Sequence, residues 1–108
     1  MDLKLKGKVA IITGGSDGIG KAAALSLSRE GARVAIAART EATLANAAKE
    51  IIDETGNEVI GIPTDVTDEA QVEALINEVV SKWGGIDILV NNAGTSSVAR
   101  LQDLSNEQ

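Results

Sequence analysis

The stretch Thr13-Gly14-Gly15-Ser16-Asp17-Gly18-Ile19-Gly20 narrows what this chain can fold into. It joins an apolar run, Val9-Ala10-Ile11-Ile12, to an alanine-rich helical pattern that begins near Gly18. The order is therefore strand, glycine turn, helix. A buried strand that ends in glycines lets the backbone turn sharply, and the helix that follows points its unpaired amides and positive dipole end into the crevice. A phosphate is the simplest anion to fit there. Gly14 would permit the tight turn, Gly18 a close backbone approach to a pyrophosphate, and Gly20 contact between the helix and the strand beneath it.

The rest of the chain repeats the same alternation. Gly31 sits where the first helix should be capped, after a stripe of small residues at Gly20, Ala23, Ala24 and Leu27. Val34-Ala35-Ile36-Ala37 reads as a second buried strand. Thr40 is the expected N-cap of a helix with Leu44, Ala47, Ala48, Ile51 and Ile52 on its apolar face, and Gly56 stops it. Val59-Ile60-Gly61-Ile62 is a third strand closed by Pro63. Thr67 or Asp68 caps a third helix with Val72, Leu75, Ile76, Val79 and Val80 on one face. Gly84-Gly85 ends it, and a fourth strand runs from Ile86 to Val90 with Asp87 at its entry. The pattern βαβαβαβ implies a parallel sheet with helical crossovers. Hydrophobic residues make up 44% of the 108 residues and aromatics only 1%, so the core must be built from Val, Ile, Leu and Ala, as suits such a sheet.

Polar residues that carry chemistry fall where the strands end, the edge at which open α/β sheets bind ligands. After the second strand comes Ala38-Arg39. An acidic side chain there would hydrogen-bond the ribose hydroxyl of NAD, whereas neutral Ala38 followed by the planar donor fork of Arg39 suits a 2′-phosphate. A solvated loop cation is the alternative for Arg39. After the third strand comes Asp65-Val66, an acceptor beside a backbone amide, complementary to the N6 and N1 edge of adenine. An Asp that merely starts the following helix is the alternative there, and one residue could do both through different atoms. After the fourth strand comes Asn91-Asn92-Ala93-Gly94, short and polar enough for backbone to approach a ligand or a neighbouring strand, with an Asx turn as the alternative.

The spacing T-G-x-x-x-G-x-G over Gly14, Gly18 and Gly20 departs from G-x-G-x-x-G and resembles the short-chain dehydrogenase/reductase family. The resemblance extends from about Lys6 to the last residue and takes in Asp65-Val66 and the N-N-A-G at Asn91 to Gly94. It implies a Rossmann-type, doubly wound α/β fold with strand order 3-2-1-4. It also implies a dinucleotide cofactor held by Gly14, Ser16, Asp17, Gly18, Ile19, Gly20, Arg39, Asp65, Val66, Asn92, Ala93 and Gly94. A neutral residue followed by Arg marks NADP users in that family, so NADP is expected, with NAD as the alternative. Asp17 stands where many NADP-using relatives carry a basic residue, and is expected to weaken affinity without reversing the preference. The activity implied is hydride transfer between the cofactor and a carbonyl or alcohol, in the manner of a 3-oxoacyl reductase or a sugar or alcohol dehydrogenase. The family also implies a homo-oligomer, commonly a tetramer.

Several things are excluded or missing. Lys and Arg number 10 against 16 Asp and Glu, a net charge of −6, which argues against a nucleic-acid partner. With no Cys and no His, disulfides and the usual zinc sites are ruled out, and no metal is expected. Neither a signal peptide nor a membrane-spanning run is legible, so the expected location is cytoplasmic. The family's Tyr, the Lys four positions after it and the substrate-orienting Ser have no counterpart, because the chain has no Tyr at all. No catalytic residue is assigned for that reason. Residues 1–108 are expected to form one incomplete cofactor-binding domain with a core at about 7–95. Residues 96–108 would lead into a missing half, since Ser105 to Gln108 reads as a capping box with no helix after it. The competing expectation is a dinucleotide-binding module without chemistry.

Overall fold

The computed structural model describes residues 5–14 and 18–92. The elements are β1 (Val9–Thr13), α1 (Gly18–Arg29), β2 (Arg33–Ala38), α2 (Glu41–Thr55), β3 (Val59–Pro63), α3 (Glu69–Trp83) and β4 (Ile88–Asn91). All strand pairs are parallel and the order is β3-β2-β1-β4, as expected. Every residue of β1 is buried, which is why the run from Val9 contains no polar residue before Thr13. Burying a Val or Ile of this kind contributes about 1.5–3 kcal/mol.

Alternation along the strands divides the core in two. Ala10, Ile12, Val34, Ile36 and Val59 face the layer formed by α1 and α2, where Ala24, Leu44, Ala47, Ala48 and Ile51 meet them. Val9, Ile11, Ala35, Ala37 and Ile62 face α3 through Leu75 and Val79. The sheet is therefore covered on both faces, with two helices on one and one on the other.

Local chemistry ends each helix as its sequence dictates, with some differences. Gly56 and Gly84 take left-handed conformations, and their amides donate to Ile52 O and Val80 O at 2.8 and 2.7 Å. Asp68 is the cap of α3, its carboxylate accepting from the Ala70 amide at 3.0 Å. Thr40 occupies the N-cap of α2, but its side chain makes no capping hydrogen bond. Ile52 and Val80 stand at the margins of their apolar faces, 40% and 41% exposed, and Ile76 is half-buried, so the buried stripe is one residue narrower than the periodicity suggests in α2 and two in α3. Strand β4 begins at Ile88 because Asp87 is used otherwise: its carboxylate accepts from the Val9 amide at 2.9 Å, and its own amide donates to Val9 O at 2.8 Å. That exchange pins the entry of β4 to the start of β1.

A polar seam joins α1 to α2. Lys21 pairs with Glu50 and Arg29 with Glu54, while fully buried Ser28 hydrogen-bonds Thr55 Oγ1 at 2.8 Å. Asn57 Nδ2 donates to Ser28 O at 2.6 Å. The seam runs from Lys21 in the first turn of α1 to Ser28 and Arg29 at its end.

Candidate functional site

Parallel pairing brings the carboxyl ends of all four strands to one edge. In register, Thr13 lies opposite Ala37 on one side and Asn91 on the other, and Ala38 lies opposite Pro63. The residues that follow each strand therefore share that edge, as a ligand crevice in such a sheet requires.

Gly14 takes φ +68°, and its amide donates to Ala37 O at 2.6 Å, so the chain bends out of β1 while still bonded to β2. Gly18 opens α1 at φ +56° with open space where a side chain would begin. Gly20 is the crowded position: a Cβ there would lie 2.0 Å from Gly14 O and 3.0 Å from Asn92 Nδ2. The third glycine thus lets α1 sit directly on the turn. Ile19, the second residue of α1, is 79% exposed and adds nothing to the core. Ser16 and Asp17 fall outside the described residues, as do Ala93 and Gly94.

Threonine and asparagine tie β1 to β4. Thr13 Oγ1 donates to Asn91 Oδ1 at 3.0 Å and accepts from the Asn92 amide at 3.1 Å. Asn92 Nδ2 reaches back to Gly14 O at 3.4 Å. One threonine hydroxyl thus fixes the end of β4 beside the glycine turn.

The β3 end is built round Asp65. Its Oδ1 accepts from the Thr67 amide at 2.9 Å and from the Thr67 hydroxyl at 2.6 Å, an Asx turn. Its amide donates to Gln71 Oε1 at 2.8 Å, and Gln71 Nε2 donates to Asp68 at 3.1 Å. The Thr67 hydroxyl and amide, with Arg39 adding to them against partial desolvation, hold the Asp65 carboxyl below its ordinary value of 3.8. Arg39 Nη2 lies 3.6 Å from Oδ1, with the Arg39 side chain 73% exposed. Among the described residues neither Asp65 Oδ2 nor the Val66 amide has a hydrogen-bond partner. An acceptor and a donor are left side by side, while the turn consumes the other oxygen and the other amide. The Asx turn thus uses one carboxylate oxygen and leaves the other, with the Val66 amide, without a partner among the described residues.

Thr13 and Thr67, read in sequence as part of the glycine stretch and as a candidate helix cap, and Gln71, which the sequence reading does not single out, support this edge. The signal for Thr67 is legible as Asp-x-Thr, the spacing of an Asx turn, but nothing local announces that Gln71 reaches back from α3.

Comparison with known proteins places these features in context. The family described as short chain dehydrogenase matches residues 8–108. The sorbitol dehydrogenase of Cereibacter sphaeroides is 44% identical over 106 residues, 97% of this chain and 40% of that protein. The chain thus spans about two fifths of that relative's length. The crystal structure of L-sorbose reductase from Gluconobacter frateurii, complexed with NADPH and L-sorbose, superposes with a TM-score of 0.84 at 44% identity, covering 88% of this chain and 36% of that one. An actinorhodin polyketide ketoreductase solved with NADPH gives a TM-score of 0.77 at 41% identity, over 88% of this chain and 36% of that one.

Proposed function

We propose, from the premise that this chain belongs to the short-chain dehydrogenase family, that it forms the cofactor-binding part of an NADP(H)-dependent oxidoreductase acting on a carbonyl or alcohol. The observation that carries the cofactor choice is Arg39 at the end of β2, exposed on the same sheet edge as the glycine turn, with no carboxylate at Ala38 to repel a phosphate. NADPH in two structurally similar relatives points the same way.

The roles rest on the family resemblance together with the positions of the described residues at the strand ends. The turn at Gly14 and the first amides of α1 receive the pyrophosphate, with Ser16 and Ile19 beside them. Asp17 lies in the same loop and lowers affinity by its charge. Asp65 Oδ2 accepts from the adenine amino group, and the Val66 amide donates to the adjacent ring nitrogen. Asn92, Ala93 and Gly94 border the adenosine ribose. Arg39 takes the 2′-phosphate. When bound, the nicotinamide supplies the hydride. The chain has no Tyr, so its own part is to bind and orient the dinucleotide and not to move the substrate proton. The 108 residues alone are expected to bind NADPH without consuming it in the presence of a ketone.

Titrating NADP and NAD into the Arg39→Ala variant tests the reading. A guanidinium that makes a charge-assisted phosphate contact is worth about 1.5–3 kcal/mol, so NADP should weaken roughly ten- to hundredfold while NAD is unchanged. Equal losses for both would show that Arg39 does not read the phosphate.

A further inference from the structure

We propose that Asp65 sets how strongly the site prefers NADP, by competing with the 2′-phosphate for the Arg39 guanidinium. This rests on the assignment of Arg39 to that phosphate. Arg39 Nη2 lies 3.6 Å from Asp65 Oδ1, and among the described residues Asp65 is the one carboxylate that Arg39 meets. The two partners differ in freedom. Thr67 holds Oδ1 with two hydrogen bonds and Gln71 Oε1 holds the Asp65 amide, so the carboxylate is a fixed charge. Arg39 is a long side chain, 73% exposed. It is the partner that turns.

Binding NAD leaves the pair undisturbed, because NAD carries no group that wants the guanidinium. Binding NADP draws Arg39 onto the phosphate, where two charge-assisted hydrogen bonds replace one exposed ion pair. The phosphate wins, but its advantage is reduced by whatever the pair contributed. Asp65 thereby binds adenine for both cofactors and tempers the discrimination between them. Its adenine contact is common to NAD and NADP and cancels from the ratio of their dissociation constants. The ratio isolates the effect on Arg39.

The test is calorimetric titration of NADP and NAD into the 108-residue chain and its Asp65→Asn, Arg39→Ala and double variants at low ionic strength. Asn keeps an oxygen for Thr67 while removing the charge. The ratio of the NAD to the NADP dissociation constant should rise about two- to fivefold in Asp65→Asn, the range of one exposed ion pair. In the Arg39→Ala background the same substitution should leave the ratio unchanged. No rise, or an equal rise in both backgrounds, overturns the proposal, the second because the carboxylate would then act on the phosphate directly. Arg39→Ala weakening NADP and NAD equally defeats instead the assignment of Arg39, and absence of binding by the unaltered chain defeats the cofactor reading and this proposal with it. Circular dichroism and Trp83 emission report whether each variant is folded. Should Asp65→Asn fail to fold, Asp65→Ser keeps a short oxygen for the turn and carries the same measurement.

Discussion

A methyl group at Gly20 would lie 2.0 Å from the Gly14 carbonyl oxygen, a backbone atom that can retreat only by moving the turn itself. Gly20→Ala is therefore expected to destabilise the chain by about 1–3 kcal/mol, the usual range for overpacking, and to displace the turn proposed to receive the phosphate. Urea unfolding followed by Trp83 emission measures the first effect and NADPH titration the second. Asp65 gives a prediction with a sign. Its folded-state carboxyl is held below 3.8, so the folded chain binds that proton less readily than the unfolded chain. The contribution is fully present above 3.8 and is lost as pH falls through the lowered folded value. The melting temperature of Asp65→Asn should therefore trail the unaltered chain at neutral pH and converge with it in strong acid. A gap that persists unchanged in acid would show that the charge is not what Thr67 and Arg39 stabilise. The position of Gly20 was legible in the glycine spacing, because a missing side chain in a helix start has few other uses. The locking of Asp65 by Gln71 was not, because that contact depends on how α3 folds back over its own entry.

Helix ends separate residues that occupy the same nominal position. Asp68 accepts from Ala70 at the start of α3, while Thr40 at the start of α2 caps nothing with its side chain. Asp68→Ala should cost about 1 kcal/mol, and Thr40→Ala only a few tenths, in thermal or urea unfolding. Equal losses would show that the Thr40 hydroxyl caps in solution. Both residues read alike in sequence, since Thr and Asp are each good caps and only the side-chain rotamer decides. The glycine stops at Gly56 and Gly84 were legible for the opposite reason: a left-handed residue after an apolar helical stripe leaves little other choice. Ser28 shows where periodicity falls short. It lies on the buried face of α1 as a polar residue, and its partners Thr55 and Asn57 come from the last residue of α2 and the turn after it. Such a bond across helices leaves no local signature. Ile52 and Val80 show the converse, apolar residues at helical spacing with their stripe that remain exposed.

Over the whole molecule, the order β3-β2-β1-β4 places the two most buried strands, β1 and β2, in the middle, where both faces and both edges are used. Alternation of strand and helix made this sheet legible in advance, because parallel strands require crossovers and short glycine stops fix their length. The outer strand on the β1 side has a different environment. All of Ile88, Leu89, Val90 and Asn91 are only half-buried. Ile88 and Val90 lean on the α1 side of the core and Leu89 on the α3 side, each with one flank beyond the helices. Among the described residues β4 pairs with β1 alone, so its other side meets no further strand among them. A flat apolar edge of that kind pairs with another strand when it meets one. The 108-residue chain is therefore expected to self-associate through β4, and its melting temperature should rise with concentration, as mass action requires of an associating fold. Leu89→Lys should weaken this association by placing a charge beside the open edge. Light scattering at several concentrations reads the outcome. A mass fixed at 11.1 kDa at every concentration, with a melting temperature that does not move, would mean that the β4 edge is covered within a single chain.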